Sequence, residues 1–237
     1  VEVGQRLLRT LSAVEAGDDL LAQHHLGVTR IAAACAFGLQ LGDVVQRLPA
    51  VALQFHKDFP VELVEATLSH GGRAVVVARA WLIATGDTTA LEHSDLPPMP
   101  APGDTEPWDP SSVWSGGFIE SVEVRREAVE PGRGRVWVRT DVPLVDEPHS
   151  HLAAAAGLLD IANGMNVLAS PREVLFPNVD LTAHLFRQPE PGWLGLDTTV
   201  SFGPAGHGLT SSVLHDERGA FGTLAQVLTV RPVSPSA

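Results

Sequence analysis

Only one cysteine, Cys35, occurs in the 237 residues. A single cysteine excludes an internal disulfide framework and a metal site built from cysteines. It lies in the apolar run IAAACAFGL, where a thiol behaves as a small hydrophobe. Lysine is as scarce: Lys57 is the only one, and every other basic residue is arginine. Sixteen basic against 28 acidic residues leave a formal charge of −12. That balance argues against nucleic acid as a partner, which needs a basic surface, and against an anionic membrane face. Arginine is the better bidentate partner for phosphate, so scarce lysine does not exclude a phosphorylated ligand. No apolar run reaches the roughly 18 residues of a membrane span. No charged-then-apolar signal pattern opens the sequence, so a cytoplasmic protein is expected. No G-x-S-x-G motif occurs, so no nucleophile elbow is expected. GGRAVVV lacks the lysine and following helix of a phosphate loop, which argues against nucleotide hydrolysis.

What is present is a globular composition, 44% hydrophobic with a mean hydropathy of +0.11. The length suits one large domain or two small ones. Leu7, Leu8, Leu11 and Val14 fall at helical spacing within Gln5–Val14, and Gly17 ends that helix. Asp19–His25 reads as a short strand. Thr29–Leu41 is Ala-rich and apolar nearly all round, as a buried helix is. Strand patterns follow at Ala50–His56, Val61–Ser69 and Arg73–Ala84, with a Gly71-Gly72 hairpin turn. Residues 95–117 hold six of the eighteen prolines and read as a linker.

Beyond the linker the pattern restarts. Phe118–Ala128 and Arg135–Thr140 read as strands turned at Pro131-Gly132. His151–Leu168 reads as a second Ala-rich buried helix, with Ser150 as its N-cap. Ala154, Leu158 and Ile161, like Ala32, Cys35 and Ala36 of the first, are expected in the core. Strands then run roughly 178–187, 193–202, 208–215 and 221–231. Both halves thus share an order of strand, buried helix and strand meander. VALQFHKDFP and LTAHLFRQPEP each close a strand with a His and then a Pro. A helix apolar all round, followed by a meander, suits an antiparallel sheet wrapped about one helix. That is the hotdog architecture.

Several segments carry a family resemblance. RLLRTLSAVEAGDDLLAQHH, LPAVALQFHKDFPVE, LSHGGRAVVVARAWL, LLDIANGM, FPNVDLTAHLFRQP and LHDERGAFGTLAQVLTVRP together resemble the acyl-CoA thioesterases of the type II, double-hotdog family. The likeness implies an α+β double hotdog: an N-terminal hotdog at 1–94, the linker at 95–117, a C-terminal hotdog at 118–231 and a tail at 232–237. It implies hydrolysis of an acyl-CoA thioester without a cofactor, and a homodimer as a possible assembly. One departure stands out. The first-half helix of the family opens on a Gly-Gly pair, where HHLGVTRIAA has only Gly27.

In that family an acid, a hydroxyl and a glutamine position the hydrolytic water. The resemblance carries these roles to Asp180, Ser201 and Gln226. Asp180 would act as general base, and the other two would fix the water and polarise the carbonyl. Thr199 shares a strand face with Ser201 and is the alternative hydroxyl. Thr199, His56 and His184 are expected on the substrate side. Each has a plainer reading: a turn cap for Asp180, a solvated strand hydroxyl for Ser201, a rim histidine for His56 and His184. Gln226 shares a face with Leu224 and Leu228, so it is expected to be buried and in need of partners. Asp160, in LLDIANG, is a carboxylate within an apolar run, either a cap or a neighbour of the site. His149-Ser150-His151 lacks a third ligand at helical spacing, so no metal is expected. Arg125, Arg126, Arg133, Arg135 and Arg139 form a basic concentration that would suit a phosphate or a solvated strand face. Two other functions compete: a hydratase or dehydratase using Asp180 with His184, and a non-catalytic acyl-binding module.

Overall fold

The computed structural model describes residues 45–47, 51–56, 59–70, 72–143 and 150–233. The elements expected at Gln5–Val14, Asp19–His25 and Thr29–Leu41, with Gly27, Ala32, Cys35 and Ala36, lie outside the described residues. The chain divides into two compact units, residues 1–93 with 144–157 and residues 94–143 with 158–237.

The first unit contains four described strands: β1 (Val45–Arg47), β2 (Val51–His56), β3 (Phe59–His70) and β4 (Arg73–Ile83). All pairings are antiparallel, with β3 the shared partner of the other three. The expected hairpin is present: His70 pairs with Arg73 across a turn that holds Gly72 at φ 77°. The helix His151–Ala156 belongs to this unit and opens as expected. The Ser150 hydroxyl caps it, accepting the Ala153 N–H at 3.2 Å.

That helix is much shorter than the sequence suggests. It stops at Gly157, a short 3₁₀ turn follows at Leu159–Ile161, and a second short helix covers Ala162–Met165. Glycine and asparagine are weak helix formers, and Gly157, Asn163 and Gly164 crowd this stretch. The break matters because it redirects side chains. Leu158 and Ile161 are buried as expected, whereas Ala154 is exposed.

The second unit holds the strands β5 (Glu123–Glu130), β6 (Arg133–Arg139), β7 (Val174–Leu175), β8 (Thr182–Leu185), β9 (Leu194–Phe202), β10 (His207–Asp216), β11 (Gly219–Thr229) and β12 (Arg231–Pro232). Six of them form an antiparallel sheet in the order β5-β6-β9-β10-β11-β8. The two-residue strands β7 and β12 pair separately with each other. The start of the strand expected at Phe118 is instead one helical turn, Gly117–Glu120.

Period-two alternation sorts the sheet's side chains. Val136, Val138, Leu194, Leu196, Leu214, Leu224 and Leu228 are buried on one face, the inner one. The helix Ala162–Met165 lies against β9 and β10. The stretch read as a linker packs within this unit. Trp137 donates its indole N–H to the Pro100 carbonyl at 2.8 Å, and the Trp108 backbone N–H goes to the Val124 carbonyl at 2.9 Å. Trp114 donates to the Gly164 carbonyl at 2.7 Å and meets Phe176 edge-on. Proline-rich chain lacks its own ladder, so these aromatic and carbonyl contacts order it.

Candidate active site

Gln226 is completely buried on the inner face of β11, between Leu224 and Leu228. Its Nε2 donates to Asp160 Oδ1 at 2.9 Å. Asp160 sits in the 3₁₀ turn Leu159–Ile161, where the broken helix turns its carboxylate outward while both neighbours stay buried. The same Oδ1 accepts from Asn178 Nδ2 at 2.8 Å, and that nitrogen also lies 3.3 Å from the Asp180 carbonyl. A carboxylate only accepts, so it dictates which end of the Gln226 amide faces it. Among the described residues no donor reaches the buried Gln226 Oε1.

Asp180 stands at an irregularity in the strand beside β11. Asn178 opposes Leu228, and Thr182 opposes Ala225. Four steps lead from Asn178 to Thr182 but three from Leu228 to Ala225, so one extra residue sits in this segment. Such a bulge unpairs the ladder locally and re-aims a side chain. Here the Val227 N–H goes to Asp180 Oδ1 at 2.7 Å instead of to a carbonyl. Asp180 is otherwise exposed.

Ser201 is not brought to this cluster. It opposes Leu209, and Leu209 opposes Val227, so all three share the outer face, one residue out of phase with Gln226. Ser201 and Thr199 are both exposed there. The register places a different hydroxyl beside the amide: Thr210 is the direct cross-strand neighbour of Gln226 and is buried. Thr210 Oγ1 donates to Asn163 Oδ1 at 3.4 Å, and Asn163 Nδ2 to the Phe176 carbonyl at 3.0 Å. Thr198 and Ser212 form a further buried hydroxyl pair at 2.7 Å. Sequence reasoning missed Thr210, Asn163 and Asn178. Alternation within GLTSSVL hinted that Thr210, Ser212 and Leu214 share a face, but only the hairpin register aligns Thr210 with Gln226.

His184 is exposed on β8 opposite Thr223, and among the described residues it makes no bond to Asp180. His56 ends β2, and its side chain lies outside the description. Among the described residues no group of three or more His, Cys, Asp or Glu is placed to hold a metal. No described helix is long and apolar enough to cross a membrane.

The arginine concentration is largely neutralised by its own sheet. Arg135 bonds Glu127 at 2.9 Å and Asp197 at 3.4 Å, and Arg139 bonds Glu123 at 2.7 Å. Arg125 donates to the Pro102 and Thr105 carbonyls and lies 3.8 Å from Glu123; Arg133 lies 4.0 Å from Glu130. Arg126 stacks over Trp108, 4.6 Å from the ring centre. A solvated, charge-alternating strand face accounts for these residues better than a phosphate site.

At the far end of β11 from Gln226, Arg187 clamps the turn that leads into the strand. It donates to both oxygens of Asp216 at 2.5 and 2.7 Å and to the carbonyls of Gly219 and Ala220 at 2.7 and 3.1 Å. Asp216 also accepts the N–H groups of Glu190, Arg218 and Gly219. Burial pushes the Asp216 carboxyl up, but Arg187 and the backbone donors outweigh it and hold it below the usual carboxylate range. His215 is buried beside them, and neither ring nitrogen has a hydrogen-bond partner among the described residues.

No curated protein matches the chain. Several solved structures share its fold. A protein from Novosphingobium aromaticivorans named as a thioesterase is 21% identical, with a TM-score of 0.58 over 86% of this chain and 87% of its own. Acyl-CoA thioesterase II TesB2 from Mycobacterium marinum is 21% identical, with a TM-score of 0.53 over 79% of this chain and 74% of its own. A hot dog fold protein of unknown function from Alicyclobacillus acidocaldarius is 18% identical, with a TM-score of 0.59 over 83% and 76%. These likenesses establish the α+β hotdog fold. The model of the acyl-CoA thioesterase C-terminal domain matches residues 93–230, more than half of the chain and the whole six-stranded sheet. The chain therefore belongs to the acyl-CoA thioesterase C-terminal domain family.

Proposed function

We propose that the protein hydrolyses acyl-CoA thioesters to a free acid and CoA, using Asp180, Gln226 and Thr210 beside β11. The observation that carries this reading is Gln226. A fully buried amide whose nitrogen is held by Asp160 and whose oxygen has no donor among the described residues is costly to keep, by about 1–3 kcal/mol. A sheet core has no need of it. A site that must bind and orient a water does.

In the reaction Asp180 takes a proton from water as the water oxygen attacks the thioester carbonyl carbon. Gln226 Oε1 accepts a hydrogen bond from the second O–H of the water, whose proton stays on that oxygen. Negative charge gathers on the former carbonyl oxygen, where a fixed donor stabilises it. The C–S bond then breaks, and Asp180 returns its proton to the departing thiolate. No covalent acyl-enzyme forms, in keeping with the missing nucleophile elbow. Thr210 replaces Ser201 as the hydroxyl in this scheme, because it shares the face of Gln226. The same reading takes the chain as two hotdogs in tandem, cytoplasmic, with a homodimer as its assembly.

Thiol release from a panel of acyl-CoAs of different chain length tests the activity. Turnover of at least one, lowered in Asp180→Asn and Gln226→Ala, is expected. Binding without turnover would leave an acyl-binding module instead.

A further inference from the structure

Trp114 comes from the proline-rich segment and not from the sheet, and it is fixed at both ends. Its backbone N–H goes to the Pro110 carbonyl at 3.0 Å, closing the 3₁₀ turn Pro110–Ser112 that Asp109 caps. Its indole N–H goes to the Gly164 carbonyl at 2.7 Å. A Cβ at position 164 would lie 3.1 Å from the indole nitrogen, so glycine lets the ring lie on the short helix. Phe176 stands edge-on to Trp114 at 6.0 Å between ring centres, and Phe202 stands 5.8 Å from Phe176. The Phe202 ring leads back to the sheet, where it leans over Gly208; a Cβ there would meet it at 3.1 Å.

The pairing register puts this aromatic group beside the proposed site. Val200, Thr210 and Gln226 form one row across β9, β10 and β11, and Phe202, Gly208 and Leu228 form the next. On the other side of the Gln226 row the inner face is closed, since Leu196, Leu214 and Leu224 are 3% exposed or less. On this side Phe202 and Trp114 are only half-buried, with the buried Phe176 between them. A thioester carbonyl held at Gln226 thus has an apolar direction left for its acyl chain, over Phe202 toward Trp114. Successive rows on one face lie about 7 Å apart, which leaves room for a few methylenes.

We infer that Trp114 is a specificity-determining residue: with Phe176 and Phe202 it forms an aromatic end wall that limits the length of the acyl chain accepted beside Gln226. The inference rests on the proposed activity and deepens it by naming short acyl groups as the preferred class. A ring anchored at its backbone and at its N–H cannot step aside for a longer chain. One methylene too many in a closed apolar pocket costs about 10–200-fold.

The test is kcat/KM of the full chain across saturated acyl-CoAs of increasing length, with thermal melts of each variant. The wild type should fall by about tenfold or more in one step past its preferred length. Trp114→Ala should raise the ratio of long to short acyl by about tenfold or more, moving the fall to longer chains, and Trp114→Phe should move it less. Phe202→Leu removes the ring but keeps the face apolar, and it carries the same expectation where Trp114→Ala does not fold. Trp108→Ala is the control. It truncates a tryptophan of the same segment that stacks on Arg126 of β5, at the opposite side of the sheet from β11, and should leave the ratio at its wild-type value. Equal losses at every length, or an unmoved profile in a folded variant, would overturn the wall with the activity still established. A wild-type chain that releases no thiol would overturn the activity instead. Calorimetric binding of the same acyl-CoAs then decides the wall: an affinity break at one length that Trp114→Ala moves keeps it, and a flat affinity or no binding removes it.

Discussion

The Asp180 carboxylate accepts the backbone N–H of Val227 at 2.7 Å, in the place where a strand carbonyl would ordinarily stand. One residue too many in the 178–182 segment leaves that N–H without a ladder partner, and the side chain supplies the missing acceptor. The proposed general base is thereby held by the sheet edge through one oxygen, and the other would take the proton. Asp180→Asn keeps the shape and can still accept from Val227. It is expected to fold normally and to lose about 10²–10⁴-fold in rate. Steady-state hydrolysis with a parallel melt checks this, and unchanged turnover in a folded variant would sink the assignment.

Gly222 stands opposite Leu185 where β8 joins the sheet. A Cβ there would lie 2.4 Å from the His184 carbonyl oxygen and 2.7 Å from Leu185 Cδ2. The first is backbone and cannot step aside, so Gly222→Ala should push β8 off β11. The expected cost is about 1–3 kcal/mol. Activity should fall with it, because Asp180 leads directly into β8. Urea unfolding and hydrolysis rates measured on one preparation would show both losses, and a variant of wild-type stability would contradict the packing.

The Arg187–Asp216 pair is nearly inaccessible, with side-chain exposures of 15% and 2%. Removing Asp216 takes a carboxylate from the largely buried Arg187 guanidinium and the acceptor from the N–H groups of Glu190, Arg218 and Gly219. Asp216→Ala is therefore expected to cost about 3–5 kcal/mol by chemical denaturation. Its pH dependence has a definite sign. The folded carboxyl lies below its ordinary 3.8, so its contribution is full above that pH and is lost as pH falls below it. Acid titration of stability should show a drop below about pH 4 that Asp216→Asn flattens.

His215 gives a second pH window. Burial is the main cause that pushes its imidazole below 6.5; Asp197 and Asp216 oppose this, while Arg187 and Arg135 add to it. The unfolded chain thus takes up the proton first. Stability from the neutral ring is full above about pH 6.5 and falls as pH drops below it, toward the folded value. Denaturation at about pH 7.5 and about pH 5.5, on either side of the ordinary imidazole value, should differ more in the wild type than in His215→Phe. An equal pH dependence in the two proteins would count against a buried neutral His215.

The antiparallel meander of the second half was legible because alternation and turn residues are local signals. Runs such as LGLDTTVSF and GAFGTLAQVLT carry period-two patterns, and the strands formed at or near the positions they suggest. Gln226 was legible for the same reason: an amide between Leu224 and Leu228 must be buried with them. The helix His151–Leu168 was misread because an apolar stretch gives the same signal whether or not it breaks. Gly157 and Gly164 were visible, but their effect depended on what Asp160 and Asn163 could bond instead.

By itself, then, the sequence determined an antiparallel α+β fold, an inner face, and a buried amide that needs partners. Those follow from side-chain spacing along one strand. Which groups meet that amide depended on register between strands, and the tertiary structure decided it. One residue of phase separates Ser201 from Gln226 and puts Thr210 in its place. One inserted residue turns Asp180 toward the Val227 amide. One broken helix brings Asp160 to Gln226 across 66 residues of chain. A single-residue slip exchanges the two faces of a sheet, and neither composition nor periodicity within one strand can register it.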